Sequence, residues 1–295
     1  MADIIERLKY RYKNGSVMIK LIFINVAVFL CIKIVGIFCT LFNLNWVDTA
    51  GFLAIPSDPQ ALLRRVWTFF TYMFVHEDFL HILFNMLWLY WFGSLFMQFF
   101  NGRSLGSLYV LGGLSGAVLY LLAFNTIPYY VLMGQGQMIG ASAAVMAIVM
   151  GVSFFRPDMR LNLFLLGSVK IIYIAIVVFF IDFLSLDDNA NPGGHIAHIG
   201  GALAGYIFAI NYKNGRDITA WISRALDAFA NLFKPRGKQA KMKVSYRRAE
   251  NDSDYNYRKH RETEDIDAIL DKLKQSGYGS LTNEEKKRLF DASKK

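Results

Sequence analysis

The chain has 295 residues, of which 54% are apolar and only 19% charged, with a net charge of +9. A soluble chain carries about 25% charged residues, and here 20 of the 32 Lys and Arg fall in residues 213–295. The composition excludes a disordered chain, a collagen and a disulfide scaffold; it describes an apolar body with a basic polar tail. Basic flanks also serve membrane proteins, so the charge alone argues for no nucleic-acid partner and none is expected. Cys31 and Cys39 share one apolar stretch and carry no information on redox compartment.

In chain order, residues 1–16 form a basic segment ahead of the first of six apolar stretches, at about 17–43. That stretch is too long for a signal peptide and no small-residue cleavage site closes it, so it reads as a retained anchor. Residues 44–78 connect it to the next. They carry Phe52, Leu53, Leu62, Leu63, Trp67, Phe69 and Phe70, which suits a loop lying in the outer interface. Further apolar stretches follow at 79–99, 105–125, 139–155, 169–186 and 195–212. About 20 residues cross a bilayer, and inside lipid only a self-bonded helix is tolerated. The expected fold is all-α: a polytopic membrane protein whose residues 17–212 form a six-transmembrane helical bundle.

The positive residues set its orientation. Arg7, Lys9, Arg11 and Lys13 precede the first span, and Arg103, Arg156, Arg160 and Lys170 lie in the second and fourth connections. The remaining connections are acidic, mixed or uncharged, so both termini are expected in the cytoplasm and spans two, four and six run from outside to inside. Beyond the bundle, 213–233 places Ile218, Trp221, Ile222, Leu226, Phe229 and Leu232 on one face, as an interfacial amphipathic helix does. Residues 234–261 read as a basic disordered linker that attracts anionic lipid. Residues 262–295 read as a short helical hairpin, with a stripe at Ile266, Ile269, Leu270 and Leu273 and a Thr282–Glu285 capping box.

Ionisable and polar residues inside spans are functional candidates by default. Span two opens with His76, His81 and Asn85; span four with Gly140-Ala141-Ser142; span six with His195, His198, Gly201 and Gly205. Counted from His76, residue 139 and His195, where these outside-to-inside spans open, His81, Ser142 and His198 each fall three to five residues inside, roughly 5–8 Å below the outer surface at about 1.5 Å per residue. Asn85 lies one turn deeper than His81 on the same face. Gly140 and its alanines strip bulk from span four, and Gly201 with Gly205 gives span six a G-x-x-x-G face for close approach. A serine and a histidine can then meet, the minimum apparatus for an activated nucleophile. Each item alone has a structural reading as helix packing; four polar groups from three spans in one stratum do not. The histidines would also suit a metal site, but their spacing is not metal-like, no acidic or cysteine partner is read at their depth, and no metal or cofactor is expected.

At these residues the sequence resembles the rhomboid family of intramembrane serine proteases, over about 65–212. The family's His-x4-His-x3-Asn appears as His76, His81 and Asn85, its G-x-S as Gly140-Ala141-Ser142, and its A-H-x-x-G-x-x-x-G as Ala197-His198, Gly201 and Gly205. The pattern departs at Thr68, Ala143 and Met146. The resemblance implies Ser142 as nucleophile and His198 as general base, a dyad with no acid, with Asn85, His81 and the Ser142 N–H holding the oxyanion. It implies a bacterial-type enzyme of the inner (plasma) membrane that cuts membrane-spanning proteins near the outer face. Oligomeric state is not legible. A catalytically silent relative that retains spanning clients is the rival, and a transporter built on the histidines a weaker one.

The tail begins on the opposite side of the membrane from the candidate groups, about 30 Å of hydrocarbon away. Deleting residues 234–295 is therefore expected to leave cleavage of a model spanning substrate in detergent within a few-fold of the full chain. A truncated protein that folds but is inactive would refute that independence.

Overall fold

The structure is a computed structural model and describes residues 2–44, 48–164, 167–187, 191–232 and 252–293. Two compact units are present, residues 1–234 and 235–295. In the first, α1 (Ala2–Asn14) precedes α2 (Val17–Leu41), whose N-terminus is capped by the Ser16 hydroxyl accepting from the Ile19 N–H. The connection that follows is structured. It contains α3 (Thr49–Leu53), β1 (Ile55–Pro56), α4 (Pro59–Arg64), α5 (Thr68–Thr71) and a 3₁₀ turn at Tyr72–Phe74. Then come α6 (Phe79–Phe96), α7 (Gly102–Thr126), α8 (Pro128–Met133), β2 (Gln137–Met138) and α9 (Ser142–Phe155). A hairpin of β3 (Arg160–Leu163) and β4 (Gly167–Lys170) leads into α10 (Ile171–Leu184), and α11 (Pro192–Lys213) and α12 (Ala220–Leu232) complete the unit.

Four of these helices are long and apolar enough to cross a membrane: α2, α6, α7 and all but the first residue of α11. Two more, α9 and α10, are apolar but only 14 residues long. At about 1.5 Å per residue each spans roughly 21 Å. The protein is thus a multi-pass helical membrane bundle, and the expected all-α core is found together with two small two-stranded pieces. The expected 139–155 span is shorter than read, because the helix starts at Ser142. Residues 139–141 are non-helical backbone, which membrane proteins tolerate where protein buries it; Gly140 and Ala141 are buried here.

Helix α9 is apolar on every side and buried from Ala143 to Ser153, as a central helix must be. Helices α6, α7, α10 and α11 pack around it. Small residues set the spacing. A methyl group added at Gly201 would overlap the Ala143 carbonyl, and one at Gly205 the Ala147 carbonyl, so α9 and α11 touch backbone to backbone. On α7, a methyl at Gly116 would stand 2.7 Å from the Ala143 Cβ and 3.0 Å from the Ala197 carbonyl oxygen. Three helices therefore meet where Ala143, Gly116 and Ala197 adjoin. Amphipathic α12 lies against α7, with Ile222 buried and Ser223 sharing a 2.6 Å hydrogen bond with Ser107.

In the second unit, α13 (Asp252–Ser276) ends at Gly277, a 3₁₀ turn follows at Tyr278–Ser280, and α14 (Asn283–Ala292) starts on the full Thr282–Glu285 capping box. Residues 252–261, read from sequence as disordered linker, are the first turns of α13; residues 233–251 lie outside the described residues.

The α9–α11 contact leaves no room for a side chain. Gly201→Val is expected to destabilise the protein by about 1–3 kcal/mol, the usual penalty for overpacking a tight interface, read as a lower melting temperature in detergent. Gly279→Ala, at an open site with no close neighbour, should melt as the parent does; equal melting of both variants would show that the two backbones can separate freely.

Candidate active site

The turn ahead of α9 is held by the connection between α2 and α6. β1 pairs antiparallel with β2, Ile55 opposite Met138 and Pro56 opposite Gln137. Beside that pair the Ser57 N–H donates to the Gly136 carbonyl at 2.9 Å and the Gly136 N–H to the Ser57 hydroxyl at 2.8 Å. The Gly140 N–H donates to the Tyr72 carbonyl at 3.0 Å. Tyr72 is fixed in turn by its phenol, which donates to the Gly113 carbonyl at 2.6 Å, and neighbouring Met73 by the Tyr109 phenol at 2.8 Å. Buried Asn25 of α2 donates to that same Tyr109 oxygen at 3.2 Å. The chain of contacts runs from α2 through α7 to the backbone before Ser142.

Gly140 has a φ of +118°, and an added methyl would stand 2.9 Å from Cε1 and Nε2 of His81. Both conformation and space demand glycine. The Ala141 N–H then points to Nε2 of His76, at 3.4 Å, and the His76 and His81 rings meet edge to face with centroids 5.0 Å apart. His76 precedes α6, is fully buried, and its pKa is pushed down to about 4, first by burial and then by the neighbouring His81. The ring is therefore neutral at pH 7, as an acceptor must be.

Ser142 is the first residue of α9. Its N–H belongs to the first turn, where helix donors lack intrahelical partners and the dipole is positive. A cavity of about 250 Å³ opens beside it. Ser142, Asn85, His198 and Asp182 face it from α9, α6, α11 and α10, between apolar walls that include Trp88 and Met146. Asn85 is 8% exposed and donates one Nδ2 hydrogen to the His81 carbonyl at 2.9 Å, which leaves its second hydrogen available. His198 Nδ1 lies 2.7 Å from Asp182 Oδ1, and His195 Nδ1 lies 2.9 Å from that same oxygen. His198 Nε2 is buried and has no hydrogen-bond partner among the described residues.

Residues 63–214 match the Rhomboid domain, half of the chain. The chain belongs to the rhomboid family. It is 33% identical over 162 residues to RHOMBOID-like protein 12, mitochondrial, of Arabidopsis thaliana, across 52% of this chain and 48% of that protein. The chain thus spans about half the length of that curated relative. Residues 250–295, beyond the rhomboid domain, match DUF6576, a family of unknown function.

Among the residues read from sequence, this rhomboid chain brings Ser142, His198 and Asn85 to one cavity. His81 stands behind them against Gly140, and Gly140, Gly201 and Gly205 make the close approaches just described. One expectation is overturned: the histidines do have an acidic partner, Asp182. The signal was in the sequence. Asp182 is a carboxylate inside an apolar span, four residues from the far end of 169–186. At about 1.5 Å per residue that is roughly 6 Å, the depth of the other candidates, but on a span of opposite direction. His195, left without a role, reaches the same oxygen from one turn before His198.

His76 supplies a pH test. Unfolded, it binds a proton below about pH 6.5; folded, it resists until about pH 4, so acidification favours unfolding across that window. From this group the stability loss is about 3 kcal/mol between the two values. The melting temperature in detergent should fall less between pH 7 and 4.5 for His76→Gln than for the parent; parallel declines would remove His76 as the cause.

Proposed function

We propose that this chain is an intramembrane serine endopeptidase that hydrolyses membrane-spanning proteins near the outer face. The supporting observation is a pair of groups on one cavity: a buried imidazole nitrogen with no partner among the described residues, His198 Nε2, and the hydroxyl of half-buried Ser142. With its proton on Nδ1, directed at Asp182, His198 keeps a lone pair on Nε2. That lone pair takes the Ser142 proton as Oγ attacks the carbonyl carbon, and the imidazolium returns it to the leaving amine. Water then attacks the acyl-enzyme by the same route in reverse. The developing oxyanion is held by the Ser142 N–H at the positive end of α9 and by the second Nδ2 hydrogen of Asn85. His81, whose Nε2 lies alongside Gly140, supplies a further donor. Donors fixed in an apolar cavity favour the transition state over the bound substrate.

The substrate is constrained by the same physics. A helical carbonyl is bonded within its helix, so a spanning segment must unwind locally before Ser142 can reach it. Helix-weakening residues near the outer end favour cleavage. We assign both termini to the cytoplasmic side from the placement of Arg and Lys in the sequence, and a bacterial inner membrane from the family resemblance alone. The basic stretch after α12 adds attraction to anionic lipid.

Ser142→Ala and His198→Ala should each abolish cleavage of a spanning substrate by purified protein while melting in detergent is retained. Cleavage by either variant refutes the assignment. Asn85→Ala should lower kcat by about two to three orders of magnitude with KM little changed, and a change confined to KM would make Asn85 a substrate-binding residue instead.

A further inference from the structure

Helix α10 is the most apolar of the bundle and faces outward along much of its length, with Val177, Phe180, Ile181, Phe183 and Leu184 exposed. Yet Asp182 in that run is only 7% exposed. A carboxylate at membrane depth is costly unless it is hydrogen-bonded, and apolar contacts already seat the other end of α10 through buried Ile171 and Ala175. Packing alone does not call for an acid at 182. What it meets is two imidazoles: both Nδ1 atoms, of His198 at 2.7 Å and of His195 at 2.9 Å, converge on the single oxygen Oδ1. These lengths are those of charge-assisted hydrogen bonds.

We propose that Asp182 is a positioning residue that completes a Ser142–His198–Asp182 relay, with His195 holding the carboxylate in place as a second donor. The inference rests on the Ser142–His198 chemistry proposed above. The carboxylate fixes His198 in the tautomer with hydrogen on Nδ1, aims the free Nε2 into the cavity, and stabilises the imidazolium once the serine proton arrives. It stays ionised throughout; the proton moves only between Ser142 Oγ, His198 Nε2 and the leaving amine. His195 serves two ends. It satisfies part of the carboxylate's demand for donors, and it braces Oδ1 from one helical turn away on α11, so the acceptor cannot follow α10 alone. One ligand atom from each of the three residues lies within 4.8 Å of the others, which also suits a divalent cation. A cation there would displace the Nδ1 hydrogens and with them the hydrogen bonds to the carboxylate, an outcome that the EDTA and zinc arm of the test separates.

The test uses the full-length protein in detergent, a fluorogenic spanning peptide and a fluorophosphonate that labels the active serine. Asp182→Asn keeps the volume but loses the charge and can present an amide N–H to Nδ1. Its kcat is expected to fall by about two to four orders of magnitude, as when the acid of a serine triad is amidated. KM should stay within about two-fold, and fluorophosphonate labelling should slow in parallel. Asp182→Glu should recover part of kcat, and formate should raise the rate of Asp182→Ala, which a purely structural tether would not allow. His195→Gln should cost a few-fold in kcat. If Asp182→Asn is too unstable to assay, formate rescue of the folded fraction of Asp182→Ala decides the matter. A folded Asp182→Asn with parental kcat, or loss of melting temperature without loss of kcat per labelled serine, overturns the proposal. So does activity abolished by EDTA and restored by zinc. Failure of the parent protein itself to be labelled or to cleave would instead strike the Ser142–His198 reading, so the two failures are distinguishable.

Discussion

The backbone-to-backbone contact between α9 and α11 is the constraint on which the rest of the site depends. Gly201 lies against the Ala143 carbonyl and Gly205 against the Ala147 carbonyl. Such proximity is available in a membrane only to small residues, because helix association there is driven by close packing and not by exclusion of water. His198 lies three residues before Gly201, and Ser142 immediately before Ala143. The glycine contact therefore brings Ser142 and His198 to the same cavity without any direct bond between them. Gly116 of α7 closes the triangle against Ala143 and Ala197, so a third helix resists sliding of the first two.

A rigid helix pair does not by itself orient a serine. The turn before α9 is non-helical backbone inside the bundle, and each of its exposed donors must find an acceptor. The Tyr72 carbonyl receives the Gly140 N–H, His76 Nε2 faces the Ala141 N–H, and the β1–β2 pair ties the preceding residues to the connection between α2 and α6. The first connection, with its short helices and strand, thus clamps the backbone ahead of Ser142. Its aromatic residues have a second use at the surface: Trp67 donates its indole N–H to the Phe52 carbonyl at 3.1 Å, with the two rings 5.0 Å apart.

Much of this was legible in the sequence. Apolar runs of spanning length located the helices, because lipid leaves the backbone few options, and polar residues within those runs located Ser142, His198 and Asn85. Edges were harder to read. Ser142 opens its helix instead of lying three residues inside it, since Gly140 has a positive φ that hydropathy cannot register. The clamp of the first connection depends on pairing between Ile55 and Met138, more than 80 residues apart, in strands too short to leave a periodic pattern. Asp182 was missed for a different reason. Its depth was readable, but spans of opposite direction must be counted from opposite ends before their residues can be compared. The α13 helix begins at Asp252, ten residues before the hairpin expected at 262–295, because no apolar stripe marks those first turns in the sequence.

The site also has an asymmetry in how its parts are anchored. Ser142 is held by backbone contacts from the connection between α2 and α6 and by glycine-mediated packing, neither of which titrates near neutral pH. His198 shares the same rigid helix pair, but its ring orientation is set by a carboxylate on α10, a helix with broad lipid exposure and fewer buried residues than α9. Movement of α10 would thus reach His198 before Ser142. Asp182 rides on this outer helix, and the His195 and His198 contacts to one oxygen tie it to α11. Two donors on one carboxylate oxygen make that tether directional: sliding α10 along α11 would lengthen one bond as it shortens the other. The pair therefore resists displacement either way, which a single hydrogen bond cannot do.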